Sequence, residues 1–267
     1  MRGIVRATRA TQGKRETAAT LPPPVLLWLN RRMELDKRLH GIRERINDAC
    51  ELAGRDPAEV MLLPVSKNHS ADAVRELTYH GCRVFGESKI QEAKLKISAC
   101  PGNLEWQLIG HLQSNKCRDA VRLFRMIQSV DRMSIAEEIN RHAHNAAKDM
   151  PVLLEVNVAG EGAKYGFKPA ELLDVLEPIN DLPRLEIHGL MTLAPWVPEP
   201  EKVRPIFQQL RELKEACEQK LGAPLQHLSM GMSGDFEVAI EEGATLVRIG
   251  TALFGPRPRP AKPKPRE

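Results

Sequence analysis

Eight short apolar runs separated by stretches of helical periodicity constrain this chain more than any other feature of its sequence. The runs lie at 61–66, 83–86, 106–109, 126–130, 152–158, 185–191, 226–230 and 245–249. Helical patterns fill 71–80, 88–97, 116–124, 134–147, 169–178, 202–221 and 235–242. Alternation of this kind builds right-handed βαβ units with a parallel sheet. Eight such units in about two hundred residues predict closure into a TIM (β/α)8 barrel rather than an open sheet. A further helix precedes them, because Leu35, Leu39, Ile42, Ile46, Ala49 and Ala53 recur at steps of four and three and Gly54 follows as a stop.

The first run, Val60-Met61-Leu62-Leu63-Pro64-Val65-Ser66-Lys67, reads as a strand buried on both faces that delivers a single lysine at its far end. An amine at that rim is partly desolvated, which favours its neutral form and makes it able to condense with an aldehyde. Most lysines just past a strand do no more than reach into water, so this run alone does not establish chemistry.

The flanks differ from the body. Residues 1–32 are Arg-rich, contain Pro22-Pro23-Pro24 and show no periodicity, so they are expected to form a disordered basic extension. Residues 256–267 alternate proline with basic residues and predict an extended, flexible tail. The barrel is thus expected over 33–255. Although the whole chain carries a formal charge of +4, removing the basic flanks leaves residues 34–255 at −6, which argues against nucleic-acid binding. The five cysteines form no C-x-x-C pair, so neither a zinc site nor a disulfide framework is indicated. No apolar stretch reaches the eighteen or so residues of a membrane span, and a soluble, cytoplasmic protein is expected.

Barrel chemistry collects at the C-terminal ends of strands, with phosphate often held by the loops after the last two. Both loops here have suitable residues. Met230-Gly231-Met232-Ser233-Gly234-Asp235 follows the seventh run, where Ser233 is placed to cap the next helix and Gly234 to let backbone approach an anion. Arg248-Ile249-Gly250-Thr251 ends the eighth and offers another glycine and hydroxyl at a helix start. Other motifs fail on detail. Gly231-Met232-Ser233-Gly234-Asp235 lacks the final glycine of a nucleophile elbow. The glycines of Gly160-Glu161-Gly162 to Gly166 are wrongly spaced for a dinucleotide loop. His142 and His144, two apart on a helix, face different ways and do not share a metal.

Taken together, several stretches resemble the pyridoxal phosphate homeostasis protein family, single barrels similar to the N-terminal domain of alanine racemase. They include Leu63-Pro64-Val65-Ser66-Lys67, Phe85-Gly86-Glu87 with Gln91-Glu92, and Ile109-Gly110-His111-Leu112-Gln113-Ser114-Asn115-Lys116. Ser129-Val130-Asp131-Arg132, Gly189-Leu190-Met191, Ser229-Met230-Gly231-Met232-Ser233 and Arg248-Ile249-Gly250-Thr251 continue the match in order, from about 34 to 255. The resemblance implies that Lys67 carries pyridoxal 5′-phosphate (PLP) as a Schiff base. It implies too that Ser233, Gly234, Gly250 and Thr251 surround the phosphate, and that Arg248 faces the pyridine nitrogen. Ser88 and Lys89 depart from the asparagine and aromatic residue usual in the family.

An arginine at the ring nitrogen leaves it unprotonated and makes the ring a poorer electron sink, so amine exchange is favoured over carbanion chemistry. The second acid of the related racemases comes from an additional C-terminal domain, for which this chain is expected to have no room. The expectation is therefore a monomeric cofactor carrier with PLP-dependent apo-enzymes as its partners. The alternatives are a PLP-dependent racemase or other amino-acid enzyme using Lys67 as base, with Tyr165 or a side chain of a partner as second acid, and a phosphosugar- or nucleotide-binding barrel without covalent chemistry. Lys164 is a candidate secondary aldehyde contact.

Overall fold

The computed structural model describes residues 23–160, 162 and 165–256 of the 267. Helix α1 (Pro23–Leu52) leads into β1 (Met61–Pro64), α2 (Ala71–Tyr79), β2 (Val84–Glu87), α3 (Ile90–Ala99) and β3 (Glu105–Leu108). There follow α4 (Cys117–Leu123), β4 (Met126–Val130), α5 (Met133–Asn145), β5 (Met150–Glu155), α6 (Pro169–Asn180) and β6 (Leu185–Met191). The chain finishes with α7 (Arg204–Leu221), β7 (His227–Met232), α8 (Phe236–Glu241), β8 (Leu246–Ile249) and α9 (Thr251–Phe254). Every strand pairing is parallel, in the order β1-β8-β7-β6-β5-β4-β3-β2. A bridge between Val65 and Gly86 brings β1 beside β2 and rounds the sheet into the predicted barrel.

Two expectations are corrected at the start of the chain. Helix α1 begins at Pro23, so residues 23–32 are helical rather than part of a disordered extension. Proline is compatible with a first helical turn, where the missing N–H would have no partner in any case, so Pro23 and Pro24 start the helix rather than prevent it. The expected disorder of 1–22 and of the tail from 257 lies outside the described residues. Strand β1 ends at Pro64, and only its second half is enclosed: Leu63 is buried whereas Met61, at the rim, is 40% exposed.

The predicted stripe of α1 is buried, with Leu35, Leu39, Ile42, Ile46 and Ala49 against the barrel beside α8 and α9. Each large aliphatic removed from water in this way contributes about 1.5–3 kcal/mol. Inside the barrel, Met126, Leu153, Met191 and Leu246 form a small apolar cluster from four strands. A polar chain also crosses the interior: Gln128 donates to Gln107 (2.5 Å), Ser229 to Gln128 (2.6 Å) and Arg248 to Ser229 (2.6 Å). Burying these groups is tolerated because each has a partner. Among the described residues, no helix is long and apolar enough to cross a membrane.

Candidate functional site

A cavity of about 920 Å³ opens at the C-terminal ends of the strands. Its walls hold Lys67 beyond β1, Ser88 and Lys89 beyond β2, Ile109, Gly110 and His111 beyond β3, and Leu193 and Trp196 beyond β6. The turns after β7 and β8 complete it with Met232, Ser233, Gly234, Gly250 and Thr251, and Arg248 of β8 also reaches its wall. All six residues singled out from the sequence, Lys67, Ser233, Gly234, Arg248, Gly250 and Thr251, therefore share one space.

Strand pairing explains why distant segments meet there. Pro64 lies opposite Ile249 in the β1–β8 ladder, and the Val65 N–H donates to the Ile249 carbonyl at 2.9 Å. The chain just past Lys67 is also tied to α9, because His69 stacks on Phe254 with ring centroids 4.8 Å apart. Register thus places Lys67 beside the Gly250-Thr251 turn.

Ser233 does not cap α8. Asp235 closes that turn instead, its Oδ1 accepting the Met232 N–H at 2.6 Å, and the Ser233 hydroxyl accepts the Ala252 N–H at 3.2 Å. The serine therefore joins the two turns to each other. A Cβ on Gly234 would meet no atom within 4 Å, so that face of the turn is open to a ligand. Gly231 is needed for a different reason: its φ is +87°, and a Cβ there would lie 2.6 Å from that of Ala239.

Arg248 is fully enclosed, donating to the Ser229 hydroxyl and, at 2.7 Å, to the Thr192 carbonyl. Burial lowers its pKa to about 10, against the opposing fields of Glu155 and Asp235, and it remains positive at neutral pH. Burial likewise raises the Glu155 carboxyl to about 7, helped by the nearby charge of Asp131 and opposed by Arg248. Among the described residues, no carboxylate lines the cavity, whereas Lys67, Lys89 and Arg248 do. Such a wall suits an anion.

Some of the wall was not picked out by residue type alone. His111 is held by Asp131 at 2.8 Å and stacks on Tyr165, with ring centroids 3.5 Å apart. Their positions just after β3 and at the end of β4 are the signal that marks them. Gly110 permits the close approach of β3 to β2, since a Cβ would lie 2.3 Å from the Ser88 carbonyl oxygen. Ser88 and Lys89 belong to the cavity wall, while Lys164 lies outside the described residues.

Residues 38–258 match the family described as alanine racemase, N-terminal domain. A pyridoxal phosphate homeostasis protein of Aquifex aeolicus (strain VF5) is 45% identical over 226 residues, covering 84% of this chain and 99% of the relative. The chain belongs to the pyridoxal phosphate homeostasis protein family. A family member from Pseudomonas aeruginosa is 44% identical over 219 residues, covering 81% of this chain and 93% of its own. Among solved structures, PipY of Synechococcus elongatus PCC7942 with PLP bound superposes with a TM-score of 0.70 at 38% identity, over 80% of this chain and all of PipY.

Proposed function

We propose that this protein binds pyridoxal 5′-phosphate as a Schiff base on Lys67 and serves PLP homeostasis as a carrier, without robust catalysis of its own. The observation that carries this reading is the single cavity shared by Lys67, the two hydroxyl- and glycine-bearing turns and buried Arg248. PLP-bound PipY and the names of the curated relatives support it.

In this reading the residues divide the ligand between them. Ser233, Gly234, Gly250 and Thr251 hold the phosphate through backbone N–H groups and hydroxyls. Arg248 faces the ring nitrogen and cannot accept a proton from it, since the guanidinium has no acceptor. Lys67 supplies the amine. When bound, the cofactor supplies an aldehyde that condenses reversibly with amines. A site that leaves the ring nitrogen without a proton holds and releases such an aldehyde more readily than it stabilises a carbanion. PLP-dependent apo-enzymes in the cytoplasm are the recipients this role implies, with the protein acting as a monomer.

The test is a visible absorption spectrum of protein incubated with PLP, taken before and after borohydride. A coloured adduct that borohydride traps and that Lys67→Ala abolishes is expected. Protein that stays colourless after loading would overturn the proposal, and phosphate-ester binding that persists in Lys67→Ala without colour would favour a non-covalent phosphate barrel.

One observation favours a second reading, a racemase with Lys67 as base. Tyr165 stacks on cavity-lining His111, which brings a phenol to the mouth of the site. Deuterium entering the Cα position of amino acids from solvent, and lost in Lys67→Ala, would establish it.

A further inference from the structure

Lys67 sits between two residues whose backbones are gripped by one buried ion cluster. Lys96 extends inward from α3 with its side chain 6% exposed, and its ammonium reaches three acceptors: the Ser66 carbonyl (2.5 Å), Glu87 Oε1 (2.6 Å) and Glu92 Oε1 (2.7 Å). Three donors meet three acceptors, so the ammonium is fully used. Each carboxylate then bonds a residue next to Lys67. Glu87 Oε1 accepts from the Ser66 hydroxyl at 2.5 Å, and Glu92 Oε1 accepts the Asn68 backbone N–H at 2.5 Å.

Two features separate this cluster from an ordinary buried ion pair. Beyond the bonds among themselves, the Lys96, Glu87 and Glu92 side chains bond residues 66 and 68, on either side of Lys67. The grip is therefore directed at the segment that carries Lys67. Asn68, moreover, has a φ of +64°, a left-handed conformation uncommon outside glycine, though one that asparagine enters more readily than most residues. The His69 N–H closes that turn on the Ser66 carbonyl at 2.9 Å, immediately past Lys67, and the Glu92 bond to the Asn68 N–H adds a side-chain tie to it.

Buried ion pairs contribute little net stability against an apolar replacement of the same shape, because desolvation offsets their attraction. Glu87 shows that cost, with its Oε2 buried and without a partner and its carboxyl pushed above the usual range by burial despite Lys96 and Ser66. A cluster with so little to add to stability, aimed at two residues, is better suited to fixing geometry.

We propose that Lys96, Glu87 and Glu92 are positioning residues that hold the 66–68 backbone so that the Lys67 amine is presented to the aldehyde of a ligand seated in the two turns. This inference rests on the proposed binding of PLP to Lys67. The condensation concerned forms the C=N bond from the neutral amine and expels the carbonyl oxygen as water, and its rate depends on how well nitrogen and carbon are aligned.

The test compares PLP with pyridoxine 5′-phosphate, which has the same ring and phosphate but an alcohol in place of the aldehyde. In Glu92→Ala the rate of Schiff-base formation followed by stopped-flow absorbance is expected to fall about tenfold, and further in Lys96→Met. Pyridoxine 5′-phosphate affinity should stay within about twofold of wild type, because the phosphate turns are untouched. Glu92→Gln keeps an oxygen for the Asn68 N–H and should recover most of the rate. Circular dichroism establishes folding, and Glu92→Ala, at a partly exposed position, decides the matter if Lys96→Met does not fold. A folded Glu92→Ala that reacts as fast as wild type, or that loses rate and pyridoxine 5′-phosphate affinity in parallel, would overturn the positioning role alone. Wild-type protein that forms no Schiff base would overturn the PLP reading and this one with it.

Discussion

The two ends of the barrel use the same cations in opposite ways. At the N-terminal rim, Arg55 donates to the carbonyls of Ile240 (2.7 Å) and Ala244 (2.9 Å), and Lys148 donates to those of Val121 (2.8 Å) and Phe124 (2.7 Å). Both thereby give a charged donor to backbone acceptors at helix ends. At the opposite mouth, Lys67 and Lys89 line the cavity, and acids close to this end are held away from it: Glu87 is engaged by Lys96, Asp131 by His111, and Glu155 lies buried among the strands. Cations at one end complete the fold, while those at the other are left for a ligand. Position in the barrel, rather than residue type, separates scaffold from site.

Changing the buried acid near the mouth is expected to have the larger effect on stability. The Glu155 carboxyl keeps its proton in the folded protein up to about pH 7, whereas the ordinary value is 4.5. Between those values the native state binds more protons than the unfolded state, so stability falls as pH rises through the window. The full shift corresponds to roughly 3 kcal/mol. Glu155→Gln, which stays neutral, is therefore expected to gain in Tm over wild type as pH is raised from about 5 to about 8. Thermal unfolding across that range checks it, and parallel curves would show that the carboxyl does not titrate there.

The second change breaks the comparison from the other end. Arg55→Met leaves the Ile240 and Ala244 carbonyls without their charged donor and should lower stability by about 2 kcal/mol in urea unfolding. PLP uptake per folded molecule should not change. Impaired uptake at undiminished stability would mean that the N-terminal rim is not scaffold alone.

Much of this division was legible in the sequence. The eight apolar runs and their intervening periodicities mark the barrel, and the lysine after the first run and the hydroxyl-glycine turns after the last two mark the cavity, because strand-end position is readable from pattern. Ser233 and α1 show the limits of such reading. A serine before a helix looks like a cap whether or not a neighbouring turn captures it, and only the paired ends of β7 and β8 bring the Ala252 N–H to its hydroxyl. Pro22-Pro23-Pro24 looks like a break because proline is judged as a helix interior residue, yet two of the three lie in a first turn. The Lys96 cluster was not legible. Glu92 and Lys96 fall within the helical pattern at 88–97 and Glu87 just before it, and nothing in that spacing shows that Lys96 turns inward from α3 to the Ser66 carbonyl beyond β1.

The claim that Lys67 is the reactive cation of the mouth is tested most directly by locating the label. Protein loaded with PLP, reduced with borohydride, digested and mapped by mass spectrometry should carry the modification on Lys67, with Lys148 at the opposite rim unmodified. An unmodified Lys67 peptide alongside a stoichiometric label on any other lysine would contradict it.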